Sequence, residues 1–354
     1  MFSQRPATTP PTNSRGRSTA ILLTVFLAAL GVCLASVAVA QQSQPPISPS
    51  TQPKAPSAPP QEPQQGQYKI QTQVSLVVLH ATVLNDRSVF VQGLKQENFR
   101  VFEDKVEQKL SVFKQEDVPV SFGLVVDNSG SMRDKRPQVN AAALTFVKTS
   151  NPQDEGFVVN FNDDYYLDTE HDFTSDLNEM RTALERIDAR GSTALYDAVI
   201  GSLDHLKKGK RDKKVILVVT DGEDNASRHS LENTVEQAQR NDALIYAVGV
   251  FGDDDLKHNR RAMKKARTAL TQLAVATGGL AFFPEDASDT EAICTQIARD
   301  IRNQYTLAYY PTNTAHDGSY RTVQVEVIPP RGAGKLSVRT RSGYYASRAP
   351  ASGN

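Results

Sequence analysis

A chain of 354 residues is longer than one average domain needs. Its 40 Lys plus Arg balance its 40 Asp plus Glu, so no net charge draws it to nucleic acid or to an acidic membrane surface. Its two cysteines, Cys33 and Cys294, sit in such different contexts that no disulfide framework is legible, and Cys294 reads as a small buried hydrophobe.

Residues 1–40 carry the address. Arg15 and Arg17 precede an unbroken run of apolar and small residues from Ala20 to Ala40, which closes on Ala38-Val39-Ala40-Gln41. That is the pattern of a secretory signal with a small-x-small cleavage site. The run is nearly long enough to span a bilayer, so an uncleaved membrane anchor is the alternative. A lipid on Cys33 is disfavoured by the bulk of Val32. Either form places the remainder outside the cytoplasm: periplasmic, secreted, or anchored to the outer face of the inner membrane. Residues 41–67 are Gln, Pro and Ser with almost nothing apolar, and read as a disordered tether.

Residues 68–118 read as a small antiparallel β segment. Strand-like runs occur at Val74–Leu84, Val89–Val91, Phe99–Glu103 and Lys109–Phe113, with a turn signal at Asn85-Asp86-Arg87-Ser88. His80, within the first run, is expected to be a partly buried core residue. Residues 119–303 then alternate strands and helices. Strands are predicted at Ser121–Val126, Gly156–Phe161, Lys214–Thr220, Ala243–Val250 and Leu280–Phe283. Helices are predicted at Pro137–Ser150, Asp176–Ile187, Ala194–Lys207, Ser230–Asn241, Arg261–Thr277 and Asp289–Asn303. The repeated order implies an α/β fold, a doubly wound and mostly parallel sheet whose Val/Ile/Leu-rich strands are buried on both faces. Ligands of such sheets bind at the carboxyl ends of the strands. Residues 304–348 return to β, with strands at Tyr305–Tyr310, Thr322–Ile328 and Lys335–Thr340, and 349–354 form a tail. One economical arrangement packs this segment with 68–118 as a small β-sandwich, leaving the α/β domain as an insertion between its halves.

Three loops carry the chemistry. The first, Asp127-Asn128-Ser129-Gly130-Ser131-Met132, follows a buried strand; the second is Gly191-Ser192-Thr193, opening a helix; the third is Thr220-Asp221-Gly222, ending a strand. A carboxylate with hydroxyls at alternate positions makes a hard-oxygen pocket suited to Mg²⁺, which takes few carboxylates and keeps several waters. One or two carboxylates leave such an ion residual positive charge, and an external carboxylate can then take an open position. Glu223 and Asp224 read as rim residues, since adding them would over-neutralise the ion. Asp163-Asp164 and Asp253-Asp254-Asp255 lack calcium-loop spacing and read as solvated acids, and Lys257–Arg267 reads as a solvated basic helix face.

Taken together, Asp127-x-Ser129-x-Ser131, Gly191-Ser192-Thr193 and Thr220-Asp221-Gly222 resemble the von Willebrand factor A domain with an intact metal-ion-dependent adhesion site (MIDAS), over roughly residues 118–303. The resemblance implies a Rossmann-like fold. It also implies that Ser129, Ser131 and Thr193 coordinate the metal while Asp127 and Asp221 complete the shell directly or through water. Mg²⁺ is the implied occupant, with Mn²⁺ or Ca²⁺ as substitutes, and the implied partner is a protein offering an acidic residue. The flanking phrases Gln92-Gly93-Leu94, Val101-Phe102-Glu103-Asp104 and Ser342-Gly343-Tyr344-Tyr345 are similar to secreted bacterial proteins of this kind, which commonly carry Gly where Lys105 stands here.

The expected function is therefore metal-dependent protein binding, of adhesive or envelope-interaction type, without catalysis. A metal-dependent hydrolase is the competing class, because such a pocket can activate water. Against it stand the single-ion ligand set and the lack of a general base: Ser129 has no evident His/Asp pair, and no phosphate-cradling glycine loop occurs. A structural envelope module needing no ligand is the third class.

Overall fold

The structure, a computed structural model, describes residues 75–186, 189–251 and 260–348. The expected fold class is the one observed. A six-stranded sheet forms the centre of the α/β region. It is built from β5 (Val120–Asp127), β6 (Glu155–Phe161), β7 (Tyr165–Leu167), β8 (Lys213–Thr220), β9 (Ala243–Gly249) and β10 (Ala281–Phe282), in the order β10-β9-β8-β5-β6-β7. All neighbours are parallel except the edge strand β7, which pairs antiparallel with β6.

Every residue of β5 and of β9 is buried, because helices cover both faces of the sheet. On one face Phe122, Leu124 and Val126 pack against α1 (Arg136–Thr149), α2 (Leu177–Leu184) and α6 (Thr290–Arg302). On the other, Val125, Val159 and Val218 pack against α3 (Leu195–Leu206), α4 (Leu231–Arg240) and α5 (Arg260–Thr277). Two glycines make room for rings between the central strands. A Cβ on Gly123 would meet the Phe157 ring at 2.6 Å, and one on Gly156 would meet the Phe122 ring at 2.4 Å. Cys294 is buried in α6, as a small hydrophobe, and burial pushes its thiol up to about 12.

The flanking segments pair with each other. One four-stranded sheet has the order β13-β1-β11-β4, where β1 is Val77–Asn85, β4 Leu110–Lys114, β11 Tyr305–Tyr309 and β13 Leu336–Arg339. The second has the order β14-β12-β2-β3, where β2 is Phe99–Glu103, β3 Val106–Gln108, β12 Tyr320–Val327 and β14 Gly343–Tyr345. Both sheets therefore mix strands from before and after the α/β region, and their inner faces share one apolar core that includes Leu79, Val101, Leu307 and Val325. The tight β2–β3 turn has Asp104 at φ 47° and Lys105 at φ 69°. Two successive left-handed residues are what a two-residue hairpin requires, which is why glycine suits the position Lys105 holds.

Two expectations are corrected. Val89–Val91 is no strand: Phe90 makes a single bridge to Leu84. The Asn85 side chain accepts from Arg87 N and Val89 N, which turns the chain back on itself before a ladder can form. His80 is partly buried, as expected, but alternation along β1 turns it, with Val78, to the outer face of the sandwich and away from its core.

Buried polar clusters fasten these parts. Asp300, near the end of α6, accepts from Thr82 Oγ1 of β1 at 2.8 Å, from Tyr246 OH of β9 at 3.0 Å, and from Arg339 of β13. Inside the sandwich, Glu103 accepts from Tyr309 OH at 2.9 Å and Tyr344 OH at 2.8 Å, and pairs with Arg321 at 3.3 Å, with both charged side chains almost wholly buried. Breaking a buried pair leaves an uncompensated charge, at a cost of roughly 3–5 kcal/mol. Arg321→Leu is therefore expected to lower the unfolding free energy obtained from urea titration by an amount of that order, whereas the exposed Lys207–Asp204 pair is expected to contribute under about 1 kcal/mol when Lys207 is replaced by Ala.

Candidate functional site

The site begins where β5 ends. Asp127 is fully buried at the last position of the strand. Its Oδ1 accepts from Ser129 N at 2.8 Å and its Oδ2 from Thr220 Oγ1 at 2.5 Å, so both oxygens are committed within the protein. The side chain of Arg136, buried at the first turn of α1, donates to the Asp127 carbonyl at 3.3 Å and to Asn160 Oδ1 and Leu184 O at 2.8 Å each. The first loop is thereby fixed from behind.

The hydroxyls converge in front. Ser129 Oγ lies 3.2 Å from Ser131 Oγ, and Ser131 Oγ donates to Asp221 Oδ1 at 2.8 Å. Thr193 is buried beside the third loop, and a Cβ on Gly222 would lie 3.5 Å from its Oγ1. Ser131, Thr193 and Asp221 share the wall of a cleft of about 260 Å³ with the apolar side chains of Phe251, Ala262 and Met263. The structure thus brings all five residues singled out from sequence, Asp127, Ser129, Ser131, Thr193 and Asp221, to one place. Among the described residues no group of three or more His, Cys, Asp or Glu side chains is placed to hold a metal ion. The donor set is two carboxylates and three neutral hydroxyls, which fits a hard divalent cation that keeps part of its charge and part of its water.

Sequence reasoning missed several supporting side chains. Lys135 Nζ donates to Asp221 Oδ2 at 2.5 Å, placing a cation of the chain's own on that carboxylate. Asn225 clamps the second loop to the third: its Oδ1 accepts from Thr193 N at 2.9 Å and its N donates to Thr193 O at 3.0 Å. Asp163, expected to be merely solvated, accepts from Ser192 N at 2.8 Å, and the φ of +75° at Gly191 admits that approach. Asp224 accepts from Tyr196 N at 3.1 Å and from Ser227 Oγ at 2.5 Å, so it braces the loops, while Glu223 pairs with Lys265 at 2.8 Å. Lys265 is in the basic stretch read as solvated. Asp253-Asp254-Asp255 lies outside the described residues. None of these long-range partners has a signature in local spacing.

Residues 122–223 match the family model of the von Willebrand factor type A domain, a stretch that contains all five residues. No curated protein matches the chain. Among solved structures, it is similar to a von Willebrand factor type A protein from Catenulispora acidiphila, at 12% identity and a TM-score of 0.45, over 72% of this chain and 74% of that one. It is similar to BatB from Bacteroides thetaiotaomicron at 17% identity and a TM-score of 0.41, over 51% of this chain and 98% of that one. It is also similar to proximal thread matrix protein 1 from the mussel byssus, in a structure with a zinc-occupied MIDAS motif, at 16% identity and a TM-score of 0.44. That likeness covers 56% of this chain and 49% of the mussel protein, so the chain spans about half the length of that relative.

The two carboxylates make the metal-free site sensitive to pH. Burial, and then the nearby charge of Asp221, push Asp127 up from 3.8 to about 6. Between those two values the folded chain holds a proton that the unfolded chain has released, so rising pH through this window lowers stability, and the loss is complete above about 6. In EDTA, Asp127→Asn is expected to melt above wild type at pH 7, with the gap closing as pH falls toward 4. Parallel melting curves across that range would overturn the assignment.

Proposed function

We propose that this protein is an exported binding module in which a divalent cation, held by Ser129, Ser131 and Thr193 with Asp127 and Asp221 completing its shell, engages an acidic residue of a protein partner. The observation that carries this reading is the convergence of three loops, far apart in sequence, on one oxygen-lined point at the carboxyl ends of β5 and β8. When bound, Mg²⁺, or Mn²⁺ or Ca²⁺ in its place, supplies Lewis-acid affinity for an external carboxylate. The residues of the chain do the rest. Arg136 and Thr220 hold Asp127 behind the hydroxyls, Asn225 sets Thr193, and Lys135 screens Asp221. Export is inferred from the apolar run of residues 20–40, which lies outside the described residues; among the described residues no helix is long and apolar enough to cross a membrane.

Binding is favoured over bond-breaking because both carboxylates that touch hydroxyls are already committed: Asp127 accepts from Ser129 N and Thr220 Oγ1, and Asp221, which accepts from Ser131 Oγ, is also paired with the Lys135 ammonium. The cleft fits a carboxylate-tipped side chain, with Phe251 and Met263 as apolar walls.

Thermal melting after EDTA treatment, then with Mg²⁺ or Mn²⁺ restored, tests the reading. A hundredfold excess over Kd is expected to stabilise wild type by about 2.7 kcal/mol, and Asp127→Ala is expected to remain folded and lose the effect. Equal metal response in the two proteins would refute the site. Since the Lys135 ammonium holds the oxygen a cation would use, Lys135→Met is expected to tighten Mg²⁺ binding about tenfold, equivalent to ~1.4 kcal/mol. Unchanged or weaker binding by calorimetry would show that Lys135 does not compete.

A further inference from the structure

At the opposite end of the α/β sheet, the outer face of the sandwich meets the starts of β8 and β9 and encloses a cavity of about 350 Å³. That volume lies at the lower end of the range of small-molecule sites. It is independent of the metal loops: β8 runs from Lys213 in the cavity wall to Thr220 at the metal loops, a path of about 23 Å at the usual rise per strand residue.

The wall is mostly apolar, with Val78 and Val112 from the sandwich and Ala243 and Leu244 from the α/β domain. Its polar groups are unevenly placed. The acids Glu116, Asp212 and Asp242 are exposed at the rim, where Glu116 pairs with Lys114 at 3.1 Å and Asp242 with Arg341. The inner wall carries His80, Lys213 and Arg341, of which the last two are buried. Gln239 and Thr277, also in the wall, are satisfied within the protein: Gln239 donates to Tyr320 OH at 3.1 Å, and Thr277 Oγ1 accepts from Ile245 N at 3.0 Å. Among the described residues, two buried wall atoms, His80 Nδ1 and Arg341 Nε, have no hydrogen-bond partner. A buried donor without a partner is destabilising, and an acceptor removes that cost.

We propose that this seam cavity is a second ligand site, which takes a small organic carboxylate: the acid group accepts from His80, Arg341 and Lys213, and a short apolar body lies along Val78, Val112 and Leu244. The electrostatics agree with the geometry. Burial, followed by the charges of Lys213 and Arg341, holds the His80 imidazole well below its usual range, and burial pushes Lys213 down to about 8. A bound anion reverses both effects. Because the walls come from both the sandwich and the α/β domain, such a ligand stabilises their junction.

Calorimetric titration of the full chain with hexanoate and, in parallel, hexan-1-ol tests the proposal, with EDTA present so that the metal loops are silent. Hexanoate is expected to bind at one site per chain and raise the melting temperature, with hexanol at least tenfold weaker. The pair His80→Phe with Arg341→Met is expected to weaken hexanoate tenfold or more. Val112→Phe, which fills the cavity from the sandwich side without touching a charge, is expected to abolish binding while remaining folded. Asp127→Ala is expected to bind hexanoate as wild type does. Absence of saturable hexanoate binding in wild type would overturn the site, equal affinity for the alcohol would overturn the carboxylate assignment, and undiminished binding by Val112→Phe would place the ligand elsewhere.

Discussion

The antiparallel pairing of β1 with β11, from Val77 opposite Tyr309 to Ala81 opposite Tyr305, is the constraint on which the rest of this molecule rests. It joins strands separated by the whole α/β region. Loop-closure entropy grows only as the logarithm of length, so a compact domain whose ends emerge side by side can be inserted at modest cost. Here the ends do emerge side by side: the chain enters β5 three residues after Asp117, and Arg302, at the end of α6, donates to Asp117 Oδ2 at 2.6 Å. Asp300 then binds side chains of β1, β9 and β13 at once, which locks the inserted domain onto the sheet that closes around it. A buried carboxylate with three donors is stable only when all three are in place, so the junction has one arrangement.

With that end fixed, the opposite end of the sheet is free to carry a site. Complete burial of β5 delivers Asp127 to a position where a charge is disfavoured, and the neighbourhood of Asp221 raises the cost further. The protein partly offsets this with its own groups: Thr220 Oγ1 and Ser129 N on Asp127, and the Lys135 ammonium on Asp221. The result is a cluster of oxygen atoms that already holds one cation of the chain's own, the Lys135 ammonium at the start of α1.

Two differently built concavities therefore lie at the two ends of β8. One is small, oxygen-lined and open to solvent at the loops; the other is apolar with cationic donors at its back and lies at the seam with the sandwich. Their chemistries do not overlap, the first suited to a hard cation and the second to an anion with an apolar tail. The single strand between them, buried along nearly its whole length, gives them a rigid common backbone.

Much of this was legible in local pattern. The α/β alternation follows from Val/Ile/Leu runs separated by helical periodicity, and these are properties of ten-residue windows. Asp127, Ser129, Ser131 and Asp221 stood out because they follow the ends of such runs, where the fold leaves a loop at the carboxyl edge of the sheet, and Thr193 because it lies just before a helix. Other features were decided only by tertiary structure. The placing of Lys135 on Asp221, of Asn225 on Thr193 and of Asp163 on Ser192 depends on side chains 86, 32 and 29 residues apart meeting in space, and no window encodes that. The split of each flanking segment between two sheets was likewise invisible, since alternation marks two faces of a strand without naming its neighbour. His80 shows the same limit in one residue: period two put it on the face opposite Leu79, and only the docking of the α/β domain made that face the wall of a cavity. Sequence determined which residues are apolar, which polar side chains gather in the three loops and where the chain turns, because those rest on local sterics and solvation; the partners of each charge were set by packing across the whole chain.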